Sequence, residues 1–246
     1  MMEVMAQRTL RWGSRLAVAR RLDVQVEGLE HLPREGALLI ACRHVHHLYD
    51  GCLLLSAVPR PLHILVALDW VGDRRTRLLM EWACGTARWP VVLRAERLQP
   101  DAEQRGRAYS PEEVGGYVLR AARAAVGLLR AGEGLVIFPE AYPAIDPHAS
   151  PRAGDDFLPF RPGFIRLAEM AQRDGRTRVA IVPAGLAYRR GPRWRATLRF
   201  AAPLYVENRA DRPRVAQAVE ERVRRLSAPA GLAPDPAHRR REYGYE

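Results

Sequence analysis

The chain has 246 residues, a hydrophobic share of 48% and a formal net charge of +11. All of its basic side chains other than histidine are arginine. Such a length suits one domain or at most two, with enough apolar content for an ordinary globular core. The three cysteines, Cys42, Cys52 and Cys84, are odd in number and form no C-x-x-C pair, which excludes a disulfide framework and a cysteine-based zinc site and fits a reducing compartment. The longest apolar runs, such as Leu62 to Leu68, fall far short of the ~20 residues a membrane-spanning helix needs, and Met1 to Arg21 lacks the central apolar block of a signal peptide.

Residues 2–21 read as an amphipathic helix. Met5, Thr9, Trp12, Leu16 and Ala19 recur at spacings of four and three, with Arg8, Arg11 and Arg15 along one flank. That pattern suits a helix lying in a bilayer interface and equally one packed on its own domain. From residue 23 the chain alternates. Val24 to Glu27 and Ala37 to Cys42 read as strands, Asp50 to Val58 as a helix, Leu62 to Leu68 as a strand, Arg74 to Cys84 as a helix and Trp89 to Leu93 as a strand. A polar loop over 95–110 precedes a helix from Pro111 to Ala131 and the strand Gly134 to Phe138. A proline-rich loop over 143–162 leads into the helix Phe164 to Arg173. The strands Val179 to Leu186 and Arg195 to Phe200 and a charged helix over 211–227 complete the pattern, which predicts a single α/β domain with a mostly parallel sheet. The expected divisions are the N-terminal helix (1–22), the main domain (23–227) and a loose tail rich in Pro, Ala and Arg (228–246).

Parallel α/β sheets place their chemistry just beyond the strand ends. Two segments there carry unusual polar residues: His44-Val45-His46-His47-Leu48-Tyr49-Asp50 and Phe138-Pro139-Glu140-Ala141-Tyr142-Pro143. A histidine held by a carboxylate is the usual general base near neutral pH. The same cluster would also serve as a metal site or as helix-capping structure. The metal reading is the weaker, because His31, His63, His148 and His238 are scattered without ligand spacing and Leu48 stands where an H-x-H-x-D-H cluster needs its aspartate. No G-x-S-x-G nucleophile elbow occurs. Cys42 and Cys52, flanking the histidine segment, read as core packing.

Taken in order, these segments resemble the motif blocks of the glycerolipid acyltransferases, the lysophosphatidate acyltransferase type. The approach Val24 to Pro33 and the strand Ala37 to Cys42 are similar to what precedes that family's H-x-x-x-x-D. Gly85 to Arg94 resembles the second block, which ends in an arginine. Val136-Ile137-Phe138-Pro139-Glu140 resembles the F-P-E-G block, Pro159 to Ala168 the turn that pairs a basic residue (Arg161) with a glycine (Gly163), and Val182 to Leu186 the last block. The likeness runs from about residue 24 to 206. It implies direct transfer of a fatty acyl group from an acyl thioester, acyl-CoA or acyl-carrier protein, to the hydroxyl of a lysophosphatidate-like acceptor, with no resident cofactor. It further implies a histidine base paired with Asp50, and an acceptor site including Glu140, Pro139, Arg94, Arg161 and Gly163.

Two departures stand out. His44 lies six positions before Asp50 and His46 four, so neither matches the family spacing. Position along the strand favours His44, helix geometry favours His46 and permits His47; the base stays open among them. The family's E-G-T-R reads Glu140-Ala141-Tyr142-Pro143, so its arginine is missing, and Arg94, Arg152 or Arg161 is left to meet an acceptor phosphate. Backbone amides near a turn at Val182 to Ala184 are expected as oxyanion donors. The arginine-rich surface favours anionic partners, whether lipid headgroups, coenzyme phosphates or a carrier protein. Nucleic acid is disfavoured, since aromatics interleaved with basic residues are sparse. The expected location is cytoplasmic, peripheral on the inner face of the membrane. The competing expectation is a non-catalytic lipid-binding relative whose first motif has drifted.

Overall fold

The computed structural model describes residues 2–98, 108–145 and 157–228. Arg152, His148, His238 and the tail beyond residue 228 lie outside these.

Helix α1 (Met2–Arg21) leads directly into strand β1 (Leu22–Glu27), followed by β2 (Leu38–Cys42) and helix α2 (Tyr49–Ala57). Then come β3 (Leu62–Ile64), β4 (Val66–Ala67), α3 (Arg74–Thr86) and β5 (Val91–Val92). The remainder is α4 (Glu113–Arg130), β6 (Gly134–Ile137), α5 (Gly163–Gln172), β7 (Ala180–Arg189), β8 (Trp194–Phe200) and α6 (Arg212–Leu226). The main sheet runs β1-β8-β7-β2-β6-β3, with β7 and β8 its antiparallel pair and every other pairing parallel. This is the mostly parallel α/β domain expected from the alternation.

Strand β2 explains the layering. All five of its residues are buried, as suits a parallel strand covered on both faces. Leu38, Ile40 and Cys42 point into a core shared with Val18 of α1 and with Leu53, Leu54 and Leu55 of α2. Leu39 and Ala41 point into the opposite core, filled from α4, α5 and α6 by residues such as Leu129, Phe164 and Val219. The period of two sends alternate side chains to opposite faces, and burying each large aliphatic chain contributes ~1.5–3 kcal/mol.

Two expectations change. The run Leu62 to Leu68 is not one strand. After pairing with β6, the chain turns at Leu65, whose amide bonds the Val136 carbonyl, and Val66 then bonds Pro90 in a separate two-stranded sheet of β4 and β5. Continuous hydrophobicity could not mark that change of partner. Val182 to Ala184, expected at a turn, lies inside β7 and pairs with Ile40 to Cys42. Proline at 183 has no N–H, and these buried strand residues offer no open amides for an oxyanion.

Helix α1 packs on α2 through the face carrying Ser14 and Val18, both buried. The stripe read from the sequence faces outward instead: Met5 is 62% and Trp12 67% exposed.

Candidate active site

Because β2 and β6 are parallel neighbours, the segments that follow them meet at one edge of the sheet. Ala144 and Ile145 donate backbone hydrogen bonds to the carbonyls of His44 and Val45, tying the two loops together. Asp50 sits in the first turn of α2, where a carboxylate suits the helix dipole. It is fully buried, and three donors converge on its Oδ2: the amides of Val45 (2.6 Å) and His46 (2.9 Å) and the His44 ring at Nδ1 (2.9 Å). The other oxygen, Oδ1, accepts a hydrogen bond from the Tyr188 hydroxyl at 2.7 Å.

The structure therefore brings His44, and neither neighbouring ring, to Asp50. The His44 ring stacks on Phe138, centroids 4.2 Å apart. His46 turns aside, and its Nδ1 accepts the amides of Leu48 and Tyr49 at 3.2 and 3.4 Å, closing the turn into α2. Its ring stacks on His47, whose Nδ1 faces the Ile145 carbonyl. Burial and, less strongly, His47 lower the His46 pKa, which favours the neutral ring that accepting at Nδ1 requires.

Glu140 is also buried. Its Oε1 accepts the His44 amide and its Oε2 the Leu158 amide, both at 3.2 Å. It braces the histidine loop from behind, whereas its neighbours Pro139 and Ala141 line the adjoining cavity. Ala141 replaces the family glycine at a left-handed φ of 66°, a conformation that strains a residue bearing a Cβ. Burial pushes the Cys42 thiol well up, with Asp50 and Glu140 adding, so it is an inert core group.

The cavity, about 620 Å³, opens beside His44. Its walls are apolar, from residues such as Leu65, Val118, Phe164, Leu167 and Met170, and it includes Gly163 at the start of α5. Arg94, Glu96, Arg161 and Arg166 complete it. Arg94 is heavily committed: Nε and Nη2 bond the buried Asp69 carboxylate at 2.7–3.1 Å and Nη1 donates to the Ala141 carbonyl at 2.6 Å. Arg161 is more exposed and pairs with Glu96, which also accepts from Tyr142. Arg166 is exposed and carries no ion pair among the described residues. Sequence reasoning missed Tyr188 and Arg166. Only the register of α5 could have flagged Arg166, and nothing local flags Tyr188. Among the described residues no group of three or more His, Cys, Asp or Glu side chains is arranged to hold a metal ion.

A buried carboxylate thus orients one imidazole at the mouth of an apolar cavity, on a mostly parallel sheet. The acyltransferase family model matches residues 23–187, and the chain belongs to that family. This bears out the resemblance carried by the ordered motifs. Among solved structures, the fold is similar to that of the 1-acyl-sn-glycerophosphate (LPA) acyltransferase PlsC from Thermotoga maritima, with a TM-score of 0.54 and 18% sequence identity over 91% of this chain and 81% of that one. No curated protein matches the sequence.

Proposed function

We propose that this acyltransferase moves a fatty acyl group from an acyl thioester to the hydroxyl of a lysophosphatidate-like glycerolipid, with His44 as general base. The observation that carries the reading is the 2.9 Å contact between His44 Nδ1 and a buried Asp50 at the head of an apolar cavity. With Nδ1 donating to the carboxylate, Nε2 is the nitrogen that takes the acceptor's proton. The acceptor oxygen then attacks the thioester carbonyl, the carbon–sulfur bond breaks, and the imidazolium returns the proton to the leaving thiolate. No acyl-enzyme forms. The fold shared with the Thermotoga enzyme supports the glycerophosphate type of acceptor.

Arg161 and Arg166 meet an acceptor phosphate in place of the missing family arginine, since Arg94 is held by Asp69. Glu140 acts by fixing the His44 main chain. The donor is acyl-CoA or acyl-carrier protein; a net charge of +11 supports either anionic partner and a peripheral position on the anionic inner face of a membrane.

Radiolabelled acyl transfer to lysophosphatidate tests the reading. His44→Ala should lower the rate by ~10²–10⁴-fold, the usual worth of a general base, while His47→Ala retains most of it. Full activity in His44→Ala, or loss in His47→Ala alone, would overturn the assignment.

A further inference from the structure

We infer that Tyr188 is a positioning residue for the His44–Asp50 pair, tying down the carboxylate oxygen that the histidine loop does not bond. The inference rests on the reading of His44 as base. The loop and helix α2 supply three donors, and all three meet Oδ2. Oδ1 receives its hydrogen bond from Tyr188, 138 residues away in sequence. Asp50 is fully buried, so an oxygen left without a donor there carries the desolvation cost of an unpaired charge. A carboxylate held at one oxygen can swing about that anchor; held at both, its plane is fixed, and with it the imidazole that Nδ1 ties to it.

The tyrosine is itself held in place. Strand β7 extends far enough past the core for Tyr188 to pair with Ala196 of β8, and its ring meets Trp194 edge-on at 6.2 Å and His46 at 6.4 Å. It is not among the residues lining the cavity, and its hydroxyl is engaged by Asp50. Burial, the Asp50 charge and the hydrogen bond to it raise the phenol pKa well above the ordinary value, so the hydroxyl stays a donor at any working pH.

Removing the hydroxyl has a signed consequence. A carboxylate that loses a donor holds a proton more tightly, so the pH dependence of turnover should register the lost bond. The other titratable or charged groups around Asp50 are His46 beside it, the thiols of Cys42 and Cys52, and Glu140 and Arg43 beyond Cys42. Neither thiol ionises near neutral pH, since burial raises both, and the Tyr188→Phe change leaves His46 and Glu140 in place.

The experiment compares wild type, Tyr188→Phe and His44→Ala in acyl transfer across pH, with thermal unfolding to confirm that each is folded. Tyr188→Phe should lower kcat by about ten-fold or more, the scale of one hydrogen bond to a charged group, with KM for the acceptor unchanged. The acid limb of its pH–rate profile should move upward. A normal kcat and an unmoved limb in Tyr188→Phe, with His44→Ala inactive, sink the role of Tyr188 alone. A lowered kcat with the limb undisplaced shows a merely structural tyrosine and also overturns it. An active His44→Ala brings down the underlying reading instead.

Discussion

His46 shows how one side chain is assigned by what its ring atoms touch. Its Nδ1 accepts two amides at the entrance to α2, so the ring must be unprotonated there to hold the turn. Burial already disfavours its charged form, pulling the pKa below the ordinary 6.5. The linkage has a definite sign. Below 6.5 the unfolded chain binds a proton that the folded ring resists, so the stabilisation is intact above that pH and declines as pH falls through the folded value. Urea unfolding of the wild type should therefore show stability falling on acidification below about pH 6.5, and His46→Gln, which keeps an acceptor, should flatten that dependence. An unchanged slope would remove His46 from this role. By contrast, Arg94 is held by Asp69 and the Ala141 carbonyl where it lines the cavity wall.

Single elements show where close approach matters. Strand β7 carries the sheet past the histidine loop, and α6 lies across it with Val215, Val219 and Val223 buried. The end of α6 comes so near β7 that a Cβ on Gly185 would stand 2.4 Å from Leu226 Cβ and 2.7 Å from the Ser227 backbone nitrogen. Backbone cannot yield as a flexible side chain does. Gly185→Ala should destabilise the domain by ~1–3 kcal/mol, the usual range for overpacking, measured as a lowered midpoint in chemical unfolding. A midpoint within error of wild type would mean that α6 is not docked this closely. Because Tyr188 is three residues further along β7, the same substitution should also depress acyl transfer.

Across the whole molecule, the outward stripe of α1 has a companion on α3. Leu78, Leu79 and Trp82 are 58–67% exposed there, while Cys84 of the same helix is buried. Trp12 on α1 is equally exposed, and the two helices touch. Among the described residues no helix is long and apolar enough to cross a membrane. Exposed tryptophan and leucine on neighbouring helices of a chain with net charge +11 suit adsorption at an anionic bilayer surface, where each basic residue near the surface contributes ~1 kcal/mol. The protein should co-sediment with vesicles containing anionic phospholipid more than with zwitterionic ones, and added salt should weaken the association. Replacing Leu78, Leu79 and Trp82 with alanine should release it several-fold at unchanged fold. Equal binding to both vesicle types would argue against this mode of attachment.

The α/β class, the main elements and the two segments that build the site were legible in the sequence, because each is encoded within a few residues of itself: apolar periodicity for a strand or helix, ordered blocks for a family. The break at Leu65 was not, since an unbroken apolar run carries no mark of which neighbour each half pairs with. Nor was the choice among His44, His46 and His47. Spacing left all three within reach of Asp50, and only the path of the loop, pinned against Ala144 and Ile145, turns one ring to the carboxylate and two away. Tyr188 lies beyond any local signal, because the packing of β7 against β8 and β2 brings it to Asp50 from 138 positions downstream. Local sequence sets what a segment can become; which side chains meet is decided by contacts between segments far apart in the chain.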